Sequence, residues 1–134
     1  MIYYNHHFKV FYRDVDKMGI VYYSRYFEYF EEGRTEMLKS IGLSINNIEN
    51  SGILLPVVTA HCNYKKGLEL EQKTILEVSI LEMPKSRLKI LYEIKSGNDI
   101  KNIYGYTEHA FIKQNGRPTK VPNIILDAIK KNKI

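Results

Sequence analysis

The chain has 134 residues, of which 44% are hydrophobic and 26% charged, and a formal net charge of +5 at pH 7. That length fits one domain, 1–134, whose core buries roughly two-thirds of the unfolded surface, and the composition excludes a disordered chain. No stretch approaches the ~20 apolar residues of a membrane span, MIYYNHHFKV holds no signal-like apolar run, and Cys62 is the only cysteine; a cytoplasmic setting without an intrachain disulfide is expected.

Residues 8–14, FKVFYRD, are rich in aromatics and read as a first strand. Asp16-Lys17-Met18-Gly19 follows as a turn. Residues 21–41 carry Tyr22, Tyr26, Tyr29, Phe30, Gly33, Met37 and Ile41 at spacings of three and four, which predicts one long helix ended by Gly42. Gly33 in the middle of its apolar face costs about 1 kcal/mol in helix propensity, and a close approach to a sheet would justify it. The period then changes to two. Val58, Ala60, Cys62 and Tyr64 share one face of a strand, residues 74–82 form another, and Leu88, Ile90, Tyr92 and Ile94 alternate along a third. Residues 103–112 make a further strand, with turns at Met83–Ser86 and Ser96–Asp99, and a short helix over 124–130 closes the chain. The order β-α-β-β-β-β predicts an α+β fold, an antiparallel sheet of about five strands around one long central helix.

Asp16 lies just ahead of the predicted helix, where unpaired N–H groups and the positive dipole end favour an anion and can polarise a carbonyl. Its plain role is to open the turn or cap the helix. Asp14, two residues earlier, is the competing carboxylate. His6, His7, His61 and His109 show no metal-ligand spacing with Cys62, and His61 should point away from the face that holds Cys62 as a small buried residue. Glu28, Glu31 and Glu32 suit ion pairs with Arg25, Arg34 or a partner subunit. Lys65, Lys66 and Lys85, beside Arg87, stand at strand ends where phosphates could be held, or where a solvated basic edge discourages aggregation. There is no phosphate-binding glycine motif, and no basic run long enough to imply nucleic acid.

The stretch YRDVDKMGIVYYSRYFEYFEEGRTEML, residues 12–38, resembles the hotdog thioesterases of the 4-hydroxybenzoyl-CoA thioesterase family, which includes acyl-CoA thioesterases associated with the Tol–Pal system. The likeness runs through Asp14-Val15-Asp16, Gly19-Ile20-Val21-Tyr22-Tyr23 and Tyr26 to Glu32 and Arg34-Thr35-Glu36. It implies a hotdog fold and hydrolysis of an acyl-CoA to a carboxylic acid and free coenzyme A. Asp16 would be the nucleophile or general base, and the Tyr23 backbone N–H the oxyanion donor. Gly19 would be a substrate-binding position, and Tyr22, Tyr23 and Tyr26 could line a pocket suited to an aromatic or short acyl group, although core packing is the favoured plain reading of Tyr22 and Tyr26. Lys65, Lys66 and Lys85 would face the coenzyme phosphates. The resemblance implies a homo-oligomer, dimer or tetramer, with sites between subunits and no metal or redox cofactor. Many Tol–Pal members have His where this chain has Tyr23, so Asp16 would act without it. The rival readings are a silent acyl-CoA or acyl-carrier-protein binding module on the same fold, and a basic nucleic-acid-binding protein.

Overall fold

Alternation begins at the second residue. Ile2, Tyr4, His6 and Phe8 turn inward while Tyr3, Asn5, His7 and Lys9 are exposed, which gives strand β1 (Ile2–Lys9). The structure, a computed structural model, describes residues 1–96 and 100–134. The strand expected over 8–14 therefore lies six residues earlier, and Tyr12–Asp14 form a 3-10 turn instead. Aromatic content misled the reading: Phe11 and Tyr12 are exposed and belong to no strand.

Helix α1 (Arg25–Ser40) buries Tyr26, Tyr29, Phe30, Gly33, Met37 and Leu38, the predicted stripe with its start four residues later. Residues 21–24 are held in a turn instead: Val21 bridges to Val15, and the Tyr22 N–H donates to the Asp14 carbonyl (2.9 Å). A second helix, α2 (Ile45–Asn50), was not anticipated; Ser44 caps it by accepting from the Asn47 N–H (3.1 Å). Then come β2 (Ile53–Leu54), β3 (Val57–Tyr64), β4 (Lys73–Ile80), β5 (Arg87–Ser96), β6 (Ile100–Lys113), β7 (Pro118–Thr119) and α3 (Asn123–Asn132). The turn expected at Ser96–Asp99 lies, from residue 97 on, outside the described residues.

All strand pairs are antiparallel. The order is β1-β4-β5-β6, with β3 along the other flank of β6 and the two-residue strands β2 and β7 at its far end. The four expected runs after the helix thus become β3 to β6, and two stubs join them. Rings of α1 touch both edges of this sheet: Tyr29 meets Phe8 on β1 at 4.4 Å and Tyr26 meets Tyr64 on β3 at 5.2 Å, while Phe30 stacks on Tyr92 of β5 at 4.3 Å. One helix can reach strands that far apart only if the sheet curves around it. The core lies in that concavity, where Leu76, Val78, Leu88, Ile90, Tyr92 and Ile94 are fully buried. On β3 the expected apolar face is only partly covered: Val58 and Tyr64 are exposed and Cys62 is half-buried. As an edge strand it has β6 on one side and nothing on the other among the described residues. No described helix is long and apolar enough to cross a membrane.

Candidate active site

Three backbone links close a small hairpin between β1 and α1. Asp14 is tied to Tyr22, Val15 bridges to Val21, and the Asp16 N–H donates to the Ile20 carbonyl (2.9 Å). At its tip the Gly19 N–H donates to the Asp16 carbonyl (3.1 Å) with Gly19 at φ +77°, a conformation that favours glycine. The Asp16 carboxylate accepts through Oδ1 from the N–H groups of Met18 (2.8 Å) and Ile20 (3.3 Å). Asp16 is exposed, and its other carboxylate oxygen has no partner among the described residues. The turn role and a free carboxylate oxygen thus coexist.

The hairpin is clamped to the segment after β3. The Val21 N–H donates to the Leu68 carbonyl (2.8 Å), the Leu70 N–H to that of Gly19 (3.2 Å), and Ile20 bridges to Glu69. Tyr26 secures this segment from the core, its hydroxyl accepting from the Leu68 N–H (3.0 Å). Tyr26 is 2% exposed, as its plain core-packing reading expects, and lies beneath the hairpin. Tyr22 and Tyr23 are 51% and 60% exposed, their rings 4.8 Å apart, which overturns core packing for Tyr22. The Tyr64 hydroxyl donates to the Tyr23 carbonyl (3.2 Å), and the Tyr23 N–H has no acceptor among the described residues. Burial pushes the Cys62 thiol up to about 11, against a smaller opposing effect of the Tyr64 hydroxyl, so it stays protonated and inert at neutral pH.

Asp14 is a structural carboxylate. It is 4% exposed, accepts from the Phe11 N–H (3.3 Å), and lies 3.7 Å from Arg13 and 4.0 Å from Arg25. The buried Tyr29 hydroxyl faces it without closing a hydrogen bond, and burial first, then Asp14, holds that phenol firmly protonated. Arg25 pairs with Glu28 at 2.8 Å, as expected; Glu32 pairs instead with His6 at 3.7 Å. Among the described residues no three His, Cys, Asp or Glu side chains gather in metal-binding reach.

The structure separates the candidate lysines. Lys65 and Lys66 immediately precede the segment clamped to the Asp16 hairpin, with Lys65 lying 5.7 Å from the Tyr104 ring. Lys85 precedes Arg87, at the opposite end of β5 from Ile94, which stands level with Tyr64 through Ile103. Seven residues of strand put about 24 Å between those ends. One chain therefore does not bring Lys85 to Asp16. Its connection has a structural duty, since the Lys85 carbonyl accepts from the Val121 N–H (2.7 Å) at the approach to α3.

A buried polar relay was missed. Arg34 donates to the Tyr92 hydroxyl (3.1 Å), Tyr92 lies 2.7 Å from the Thr107 hydroxyl, Thr107 lies 2.8 Å from His109 Nε2, and His109 Nδ1 lies 3.0 Å from the Leu55 carbonyl. A carbonyl only accepts, so His109 donates to Leu55 through Nδ1, and with the ring neutral Nε2 accepts from the Thr107 hydroxyl. The neutral ring with its proton on Nδ1 satisfies both contacts. Burial, the largest cause, and the Arg34 charge lower its pKa, against a smaller raising effect of the Leu55 carbonyl. The signal was available: Ile103, Gly105, Thr107, His109 and Phe111 alternate inward along β6.

This relay carries a pH prediction. The unfolded chain takes up a proton at the ordinary histidine value of about 6.5, before folded His109 does, so stability falls as pH drops below that value towards the lowered folded pKa. His109→Gln cannot titrate. The stability gap between wild type and this variant, from urea unfolding, should narrow between about pH 7 and pH 5, by no more than about 1.4 kcal/mol per pH unit. A gap independent of pH would show that His109 does not resist protonation.

The model of the Thioesterase-like superfamily matches residues 10–129. An Aquifex aeolicus protein provisionally named an esterase is 30% identical over 122 residues, 91% of this chain and 94% of its own. An acyl-CoA thioesterase of Haemophilus influenzae is 29% identical over 76 residues, 56% of each chain, so the match spans just over half of that enzyme. The solved structure of a DHNA-CoA thioesterase from Staphylococcus aureus superposes with a TM-score of 0.87 at 27% identity, over 98% of this chain and 91% of that one.

Proposed function

The chain belongs to the thioesterase-like superfamily, and from that membership we propose that the Asp16 hairpin is the catalytic centre of an acyl-CoA thioesterase. The fold is the hotdog fold and the activity is thioester hydrolysis. Water and an acyl-CoA give a carboxylic acid and the free coenzyme thiol. The observation that carries the assignment is the solvent-open carboxylate of Asp16 at the tip of the hairpin ahead of α1, set against the buried and already engaged Asp14. Asp16 attacks the thioester carbonyl or draws a proton from the attacking water. The Tyr23 N–H donates to the oxyanion that develops, a contact typically worth about 3–4 kcal/mol in the transition state. The thiolate then leaves and is protonated; on the nucleophilic route water next cleaves the acyl–Asp16 anhydride, releasing the acid and restoring the carboxylate. Coenzyme A is part of the substrate, and the scheme uses no further cofactor. The exposed rings of Tyr22 and Tyr23 suit a flat aromatic or short aliphatic acyl group.

A second copy fits the uncovered side of β3, where Val57, Val58 and Tyr64 are 47%, 46% and 43% exposed. A homo-oligomer, dimer or tetramer, would cover that face, and only a second copy could bring Lys85 to the coenzyme. The acyl-CoA substrate and the lone thiol of Cys62 suit the cytoplasm.

Release of thiol from a panel of aromatic and short-chain acyl-CoAs tests the activity, and a rate no higher than spontaneous hydrolysis throughout would end this reading. Lys65→Ala/Lys66→Ala tests the phosphate contact. It should raise KM for the acyl-CoA by about 3- to 10-fold with kcat little changed, because the coenzyme phosphates are bound alike in ground and transition states. High salt should shrink the effect. A pantetheine thioester lacking the nucleotide should show none, and an equal loss on it would remove both lysines from the phosphate site.

A further inference from the structure

A cavity of about 210 Å³ opens between α1, α2 and the β2–β3 connection, away from the Asp16 hairpin. Ile45, Ile48 and Leu54 give it apolar walls, while Arg34 and His109 meet it from the relay. Arg34 is half-buried and its recorded partner is a neutral one, the Tyr92 hydroxyl; no carboxylate lies within 4.0 Å of it among the described residues. A partly buried cation without an ion pair is costly, and a guanidinium presents its donors as a fork shaped for a carboxylate. His109 is already committed to Thr107 and Leu55, so it adds no acceptor for that fork. Glu31 and Glu49 also border the cavity, but both are exposed to solvent and neither pairs with Arg34. Apolar cavities of about 150 Å³ accept a benzene-sized body, so this one has room for a ring and a carboxylate.

We propose that this cavity is a second binding site, for a small carboxylate whose apolar body packs between α1 and α2 and whose charged group is held by Arg34. Benzoate is the probe. It should bind saturably to the full chain by calorimetry, and benzamide, its uncharged isostere, about 10-fold or more weaker, because only the carboxylate makes charge-assisted bonds to the guanidinium. Arg34→Gln should abolish the preference for benzoate. Ile48→Trp, which fills the cavity from α2 and leaves Arg34 intact, should abolish binding of both probes. Asp16→Asn should bind benzoate as wild type does, which separates this site from the catalytic hairpin. Melting temperatures identify any variant that fails to fold, and the benzoate–benzamide comparison on wild type stands without variants. Equal affinity for the two probes, absence of saturable benzoate binding, or loss of binding in Asp16→Asn would each overturn the proposal.

Discussion

Asp16→Asn should leave the fold intact and lower kcat by about 10²-fold or more. The amide keeps an oxygen that can accept from the N–H groups of Met18 and Ile20, so the turn persists. It cannot form an anhydride or take a proton from water. Asp14→Asn is the informative contrast. Its carboxylate sits among Arg13, Arg25 and the Phe11 N–H, so its loss should appear first as a lower melting temperature. If Asp16→Asn kept most of its kcat while a still-folded Asp14→Asn lost it, the catalytic assignment would pass to Asp14.

Gly33→Leu should be the most damaging single change in the helix. Even a lone Cβ at that position would stand 2.5 Å from Leu76 Cδ2 and 2.9 Å from Val78 Cγ2, and both neighbours are fully buried in the concave face of the sheet. Overpacking typically costs 1–3 kcal/mol, and a whole leucine against two fixed β4 side chains should cost about 3 kcal/mol or more. Gly33→Ala sharpens the test. Helix propensity alone favours it by about 1 kcal/mol, so a net loss of stability would isolate the steric cost. A melting temperature equal to or above that of the wild type for both variants would show that α1 can move off the sheet at no cost.

Legibility followed how completely one period governed a segment. The stripe from Tyr26 to Met37 and the alternation from Leu88 to Ile94 are both buried on one side and solvated on the other, and both were read correctly. β1 was misplaced because its inward positions include Tyr4 and His6, which do not look like core, while the exposed Phe11 and Tyr12 do. β3 has the right periodicity without the burial, since its edge position leaves Val58 and Tyr64 open; pattern reports facing, not covering. In the site, the Asp16 turn was legible because Asp and Gly stand at its two ends. The roles of Asp14 and Tyr26 were not, because hydrogen bonds to Phe11 and Leu68 depend on segments that meet only in three dimensions. The division of Lys85 from Lys65 and Lys66 needed the strand register.

The strand order also sets which parts of the domain can come loose on their own. β6 shares hydrogen bonds with β2, β3, β5 and β7, so it cannot be released without dismantling most of the sheet. β1 and β3 are each held along one flank among the described strands, and the Asp16 hairpin hangs between the end of β1 and the segment that follows β3. Sub-global opening therefore costs less at the edge strands β1 and β3 than along β6, where His109 and Thr107 are anchored. The molecule thus keeps its buried polar relay on the strand held along both flanks, while the Asp16 hairpin joins the end of one edge strand to the segment that follows the other.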